Sequence, residues 1–230
     1  MATKNALIVG ASRGLGLGLT ARLAERGWQV TATSRHSGGD LEAFASKSGG
    51  AVIVETVDIN DADSVTALHD RLSDTTFDLV FVNAGITHDR WETVGDVSTE
   101  TFDRLMVTNA LSPMRFVEKF TDLVLPTGTI GVMSSGQGSI TNNTRVTGWE
   151  IYRASKSALN QLMRSFAARN SDDPRTLLLM APGWVQTDLG GSDAALTVEE
   201  STRGVADVLE AQAGAGGLQF LDYRGQTVPW

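Results

Sequence analysis

The sequence predicts one α/β domain over residues 1–230, with a doubly wound, mostly parallel sheet of seven strands and helices on both of its faces. Short runs rich in Val, Ile and Leu alternate with longer stretches in which apolar residues recur every three or four positions. Such alternation is typical of parallel strands joined by right-handed helical crossovers. No linker rich in Pro, Ser or Gly divides the 230 residues, so a single domain is expected.

The elements are expected in a regular order along the chain. Apolar runs predict strands at 6–9, 30–33, 51–57, 77–82, 129–133, 176–180 and 218–221. Amphipathic patterns between them predict helices at 14–26, 61–73, 99–124, 152–170 and 197–212. Open sheets of this kind bind ligands beyond the carboxyl ends of their strands, so the residues that follow the strands are the candidates for function.

Composition excludes several classes of protein. The formal net charge is −8, so no nucleic-acid partner is expected. The absence of Cys excludes disulfides and thiolate metal sites, and three scattered His residues give no metal-ligand spacing, so no metal is expected. No apolar stretch reaches the roughly 20 residues of a membrane span, and the amino terminus lacks a cleavage pattern. We expect a cytoplasmic protein without a membrane partner.

A glycine-rich turn, Gly10-Ala-Ser-Arg-Gly14-Leu-Gly16, follows the first strand and opens a helix. Gly10 permits a tight turn, Gly14 lets the backbone approach a pyrophosphate, and Gly16 allows close packing of helix and strand. The free N–H groups at the helix start attract an anion. Glycines also serve helix packing alone, but the position between strand and helix predicts a Rossmann-type dinucleotide site.

The residues after the second strand indicate which dinucleotide binds. An NAD site usually carries an acidic residue there, whereas this chain has Arg35. A guanidinium suits a 2′-phosphate, and Arg13 in the glycine loop could approach the same group. We therefore expect NADP(H). Asp58, after the third strand, is either a partner of the adenine amino group or the N-cap of the next helix.

Tyr152 and Lys156 stand four residues apart, which on a helix places them on one face. A phenol with an ordinary pKa near 10 is a poor acid at neutral pH. A nearby ammonium favours the phenolate and lowers this pKa. The pair therefore predicts an acid/base group.

Two further polar positions point to the same crevice. The fifth strand ends in Ser134 and Ser135, either of which could polarise a substrate oxygen, although serines also form turns there. Asn109 lies among apolar neighbours in the helix after the fourth strand. A buried amide needs hydrogen-bond partners, so Asn109 is either a structural bridge or a link in a water chain.

Taken together, these residues resemble the short-chain dehydrogenase/reductase family. The family order and approximate spacing are matched over nearly the whole chain by the glycine loop, Asp58, Val82-Asn-Ala-Gly85, Asn109, Ser135, Tyr152, Lys156 and the segment Pro182-Gly-Trp-Val-Gln-Thr187. Residues 134–160, 183–191 and the final residues are most similar to the branch that contains C-factor and the sniffer-type carbonyl reductases.

The resemblance implies a role for each catalytic residue. Tyr152 would pass a proton to the carbonyl oxygen, and Ser135, which like the family serine precedes small turn residues, would orient that oxygen. Lys156 would bind the nicotinamide ribose and tune Tyr152, while Asn109 would hold a water that relays protons. Further cofactor contacts are implied for Gly10, Ser12, Arg13, Gly14, Leu15, Gly16, Ser34, Arg35, Asp58, Ile59, Asn83, Ala84, Gly85, Pro182, Gly183, Val185 and Thr187.

The resemblance predicts an NADPH-dependent oxidoreductase that transfers hydride between the nicotinamide and a ketone, aldehyde or quinone and its alcohol. One alternative is a regulatory protein that binds NADP(H) without turnover. Another is an epimerase or dehydratase on the same scaffold. A homodimer or homotetramer is expected from the family.

Three departures from the family concern the substrate side. The interval from Ser135 to Tyr152 is long, Ala181 replaces a frequent His, and residues 188–197 are short for a lid, which indicates an open pocket. The residues near the catalytic positions that could line an aromatic pocket are His88, Trp91, Gln137, Ile140, Trp149 and Trp184.

Overall fold

The computed structural model describes residues 3–230, and its seven strands form one sheet. The strands are β1 (Asn5–Val9), β2 (Gln29–Ser34), β3 (Val52–Thr56), β4 (Phe77–Val82), β5 (Val124–Met133), β6 (Thr176–Ala181) and β7 (Gly217–Asp222). Their order in the sheet is β3-β2-β1-β4-β5-β6-β7, and every neighbouring pair is parallel. The predicted doubly wound α/β fold is confirmed, with a sheet that is parallel throughout rather than mostly parallel.

Seven α-helices cover the two faces of this sheet. They are α1 (Gly14–Glu25), α2 (Asp40–Ala45), α3 (Ala62–Leu72), α4 (Thr99–Met106), α5 (Ser112–Phe120), α6 (Glu150–Arg169) and α7 (Val198–Ala211). Alternate residues of each strand enter different cores, as Leu7 packs with α3, α5 and α6 whereas Ile8 packs with α1, α2 and α7. Burial on both faces explains why the strands are continuous apolar runs.

The helix predicted at 99–124 is observed as continuous helical backbone over 99–123, but a π-helical turn interrupts its α-helical hydrogen bonding. A π-helical turn, Val107–Leu111, separates α4 from α5, and the N–H of Ser112 donates to the Val107 carbonyl five residues before it. Pro113 has no N–H to donate to the Asn109 carbonyl, so an uninterrupted α-helical ladder cannot form there. The π turn carries Asn109, so the break lies at a candidate site residue.

Two further differences from the predicted elements are small. The six-residue helix α2 was not predicted, and its sequence is too short for an amphipathic period to stand out. Strand β5 begins at Val124, earlier than the apolar run at 129–133 indicated.

Within residues 3–230, none of the helices combines the length and the apolar composition that crossing a membrane requires. The same residues contain no group of three or more His, Asp or Glu side chains placed to hold a metal ion.

Candidate active site

The glycine loop connects β1 to α1 at the carboxyl edge of the sheet. Gly10 has a φ of +84°, and a Cβ there would lie 2.8 Å from the Cα of Ala84. A Cβ on Gly16 would lie 2.1 Å from the Gly10 carbonyl oxygen, which accepts a hydrogen bond of 2.8 Å from Asn83 Nδ2. Only glycine fits these two positions, because the loop is packed directly against Asn83 and Ala84 after β4.

The start of α1 fits a dinucleotide. Its N-cap residue, Arg13, makes no side-chain capping hydrogen bond, so the first N–H groups of the helix are not used by a cap. Gly14 has a φ of +54° and faces Thr187, whose Cγ2 would lie 3.5 Å from an added Cβ. The uncapped N–H groups, together with the absence of a side chain at Gly14, form a site suited to a pyrophosphate.

The two arginines expected near a 2′-phosphate differ in their surroundings. Arg35 is exposed just after β2 and forms no ion pair with any residue in the described part of the chain. Arg13 is also exposed, and its Nε lies 3.2 Å from Asp188 Oδ2 in the segment after β6. Ser34 is buried, and its hydroxyl donates to the His36 carbonyl. Arg35 is thus the more available of the two guanidiniums.

Asp58 is not the N-cap of α3, and that alternative is wrong. The N-cap is Asp61, whose side chain accepts from the N–H groups of Asp63 and Ser64. Asp58 instead accepts from the Asn60 N–H at 2.9 Å within the loop after β3. Three Asp residues in six positions all suit a cap, so the sequence alone could not choose between them.

Tyr152 and Lys156 lie on the buried face at the start of α6, as their spacing predicts. The Lys156 ammonium donates to the Met133 carbonyl at 2.9 Å and lies 5.8 Å from the centre of the Tyr152 ring. Ser135, just after β5, interacts with the Tyr152 phenol. The Ser135 hydroxyl also accepts from the Gln137 N–H at 3.1 Å. The structure therefore brings together the three side chains Ser135, Tyr152 and Lys156.

Burial sets the pKa values of this group. Loss of solvent raises the pKa of the Tyr152 phenol to about 12, and the hydrogen bond with Ser135 opposes this rise. Burial lowers the pKa of the Lys156 ammonium to about 8. The expectation that Lys156 lowers the Tyr152 pKa is wrong for this structure, because desolvation of the phenol is the largest effect.

Ser134 and Ser135 differ in what they contact. Ser134 is 1% exposed, and its hydroxyl donates to Asn160 Oδ1 at 2.6 Å. Asn160 in turn donates to the Gly138 carbonyl at 3.2 Å. Ser134 therefore fastens β5 to α6, whereas Ser135 faces Tyr152. This geometry favours Ser135 as the hydroxyl that meets a substrate.

Asn109 is fully buried, and its amide joins two parts of the site. Its Oδ1 accepts from the Ile86 N–H at 2.8 Å, and its Nδ2 donates to the Ile86 carbonyl at 2.9 Å and to Ser155 Oγ at 3.0 Å. Ser155 donates to the Tyr152 carbonyl at 2.7 Å. These contacts favour the bridging role of the amide. Ser155 was not predicted, although its position three residues after Tyr152 places it on the same helix face.

The sequence from residue 4 to residue 195 matches the model of the short chain dehydrogenase family. This match covers most of the chain and includes the glycine loop, Ser135, Tyr152 and Lys156. The chain belongs to the short-chain dehydrogenase family.

Three relatives refine this placement within the family. A short-chain dehydrogenase/reductase from Burkholderia multivorans, solved with bound NADP, is 51% identical, with a TM-score of 0.97 and complete coverage of both chains. The C-signal of Myxococcus xanthus is 36% identical over 159 residues, which are 66% of this chain and 92% of that protein. The carbonyl reductase Sniffer of Drosophila melanogaster is 28% identical over both complete chains, with a TM-score of 0.86. These likenesses confirm the resemblance to the C-factor and carbonyl reductase branch.

The segment Pro182 to Thr187 forms a compact turn after β6. Gly183 has a φ of +84°, and a Cβ there would lie 2.5 Å from Leu196 Cδ1. Val185 is buried and forms a bridge with Leu196. The Thr187 hydroxyl accepts from the Gly190 N–H at 3.1 Å. The residues after Thr187 thus fold back and pack against this turn.

Most of the residues suggested to line a substrate pocket lie outside the hydrophobic core of the chain. Trp91, Ile140 and Trp184 are 62%, 74% and 45% exposed. The Arg90 guanidinium lies 4.7 Å from the ring centre of Trp91 and 4.3 Å from that of Trp149. These apolar side chains are therefore largely exposed on the loops that follow β4, β5 and β6.

Proposed function

We propose that the chain is an NADPH-dependent carbonyl reductase that acts reversibly on a ketone, aldehyde or quinone, with Tyr152 as the acid/base. The observation that carries this proposal is the buried Tyr152 phenol beside Ser135, with Lys156 one helical turn away. All three lie at the edge of the sheet where the glycine loop begins α1.

The cofactor of this reductase is NADP(H). The uncapped start of α1, the close approach of Gly14 to Thr187 and the exposed Arg35 support this assignment. The Burkholderia multivorans relative was solved with bound NADP, which agrees with it. When bound, NADPH supplies the hydride. Val185 and Thr187 are proposed to hold its nicotinamide end, and Asp58 and Ile59 its adenine end.

The chain's own residues supply the proton. With a pKa of about 12, the Tyr152 phenol is protonated at neutral pH, and it would give up this proton only as negative charge develops on the carbonyl oxygen. The Ser135 hydroxyl would donate to the same oxygen as its negative charge develops. The Lys156 ammonium would then stabilise the phenolate that remains. A water is proposed as the route by which the proton is restored, and it would pass Asn109 without binding the side-chain amide, which Ile86 and Ser155 occupy.

The pH dependence of the reduction should follow Lys156. Its pKa of about 8 means that the ammonium is present at neutral pH and is lost as the pH rises. We expect kcat/KM for reduction to be level up to about pH 8 and then to fall about tenfold per pH unit. Steady-state rates across this range check the expectation. A level profile up to about pH 10 would contradict the role of Lys156.

Ser135→Ala should affect the reaction rate, whereas Ser134→Ala should affect the stability of the fold. Removing the Ser135 hydroxyl should lower kcat about 10²-fold, because a donor to the reacting oxygen is lost. Removing the Ser134 hydroxyl leaves Asn160 Oδ1 without its buried donor, which should lower the free energy of unfolding by about 1–3 kcal/mol with little change in kcat. Rates and thermal unfolding of both variants measure this. If Ser134→Ala abolishes turnover and Ser135→Ala does not, the choice of serine is wrong.

A spectrophotometric screen tests the proposed function itself. NADPH absorbance should fall when the protein is mixed with members of a panel of ketones, aldehydes and quinones. Tight NADPH binding without turnover of any compound would favour the regulatory alternative. Product that forms without net cofactor consumption would favour an epimerase or dehydratase.

A homodimer or homotetramer is also proposed. Leu111 at the π turn and Leu162 on α6 are exposed hydrophobic residues that border one shallow groove together with Met114. Burial of such a groove against a second copy would remove apolar surface from water.

A further inference from the structure

Two side chains beside the active site hold buried polar atoms that have no protein hydrogen-bond partner. In residues 3–230, five buried side-chain atoms lack a partner, and three of them belong to His88 and Gln137. The other two belong to Arg22 and Glu42, each of which makes a hydrogen bond through another atom of its side chain. Neither ring nitrogen of His88 has a protein partner, so its imidazole makes no hydrogen bond.

Both residues lie on segments that are fastened to the site. His88 lies between Ile86, which is held by the Asn109 amide, and Arg90, whose carbonyl accepts from the Trp149 N–H at 2.6 Å. Trp149 directly precedes α6, three residues before Tyr152.

Gln137 is fastened in a similar way. Its backbone N–H donates to the Ser135 hydroxyl, the group that meets Tyr152. Its buried side-chain oxygen is therefore only two residues from the hydroxyl assigned to the substrate oxygen.

Unpaired buried polar groups oppose folding, and folded proteins contain few of them. These unpaired atoms lie on two loops that follow β4 and β5, which indicates that a bound ligand supplies their missing hydrogen bonds. Gln137 lies two residues after Ser135, and its N–H donates to the Ser135 hydroxyl, which favours the substrate as that ligand.

The rim of the crevice indicates the remainder of the substrate. Nine large hydrophobic side chains are exposed in the described residues, and six of them lie on the segments that follow β4, β5 and β6. These six are Trp91, Val94, Ile140, Val146, Trp184 and Leu189. Exposed apolar side chains on the loops that follow these strands suit a substrate with a bulky apolar frame.

We infer that His88 and Gln137 are specificity-determining residues that select carbonyl substrates bearing a hydroxyl group on an apolar frame. A hydroxyl both donates and accepts, so it can pair with the Gln137 oxygen or with a nitrogen of the His88 ring. A substrate without it leaves those buried groups unpaired and is disfavoured. This inference rests on the proposed carbonyl reductase activity and adds the class of carbonyl compound that the site prefers.

A matched set of ketones tests the inference. The set comprises α-tetralone, its ring-hydroxylated isomers and the corresponding methyl ethers, which keep the size of the substituent but remove its hydrogen-bond donor. We expect at least one hydroxylated isomer to have a kcat/KM about tenfold higher than both α-tetralone and its own methyl ether. In His88→Leu and Gln137→Leu, this ratio should fall to between about one and threefold.

The control is Gln161→Leu, the same change at an exposed position on α6, which should keep the ratio. The inference is overturned if no hydroxylated isomer is favoured, or if the preference survives in both variants. Absence of NADPH oxidation with every ketone, aldehyde and quinone would instead defeat the proposed function, and the inference with it.

Thermal unfolding separates this role from a structural one. Since His88→Leu and Gln137→Leu remove unpaired buried groups, their Tm without ligand should equal that of the unchanged protein or exceed it by about 2 °C. A Tm lowered by several degrees in both variants would show that these side chains serve the fold, and would contradict the inference.

Discussion

Replacement of Tyr152 by Phe is expected to lower kcat for carbonyl reduction about 10³-fold and to leave the Kd for NADPH within about twofold. The change removes the phenolic oxygen and keeps the aromatic ring, so the packing at the start of α6 is preserved. The phenol is the only proton donor assigned to the reaction, and its pKa of about 12 keeps it protonated. Hydride transfer to a carbonyl without a proton donor would leave an unneutralised alkoxide in a buried site.

Single-turnover rates and a fluorescence titration with NADPH measure the two quantities separately. The matched control is Tyr223→Phe, which makes the same change at the only other tyrosine of the chain. We expect this control to retain turnover. If Tyr152→Phe keeps most of the activity, Tyr152 is not the acid/base.

Replacement of Arg35 by Ala is expected to raise the Kd for NADPH about thirtyfold and the Kd for NADH less than twofold. Arg35 is exposed after β2 and has no carboxylate partner in residues 3–230, so its charge is available to a 2′-phosphate. NADH lacks that phosphate and therefore loses little. Arg13 should matter less, because it already has a carboxylate, Asp188, at 3.2 Å.

Titration of both cofactors against the same preparation measures this effect. Arg115→Ala, at an exposed position on α5, removes one positive charge elsewhere and controls for the change in net charge. An equal loss of affinity for NADPH and NADH in Arg35→Ala would show that the guanidinium does not read the phosphate.

The sheet and the positions of the candidate residues could be predicted from the sequence because they depend on local pattern. Strands buried on both faces are continuous apolar runs, as in Ala6 to Val9, and their alternation with amphipathic helical stretches indicates a parallel sheet. The pairing of Tyr152 with Lys156 follows from helix geometry alone.

The remaining features depend on contacts between distant parts of the chain. The raised pKa of Tyr152 comes from burial of its phenol, which its neighbours in sequence do not determine. Ser134 and Ser135 are adjacent and chemically identical, and only the position of Asn160, on another element, distinguishes them. The break at Asn109 had a local signal in Pro113, since proline inside an apolar period interrupts a helix.

The proposed function depends most on hydride transfer at a site where Tyr152 supplies the proton. NADPH deuterated at C4 of its dihydronicotinamide ring, incubated with the protein and a carbonyl compound that it turns over, tests this directly by mass spectrometry of the alcohol. With the label on the face of C4 that transfers hydride, we expect one deuterium on the former carbonyl carbon for each NADPH consumed. With Tyr152→Phe, we expect almost no labelled alcohol. Product without deuterium from either stereoisomer, or the same yield of labelled alcohol from Tyr152→Phe, would contradict it.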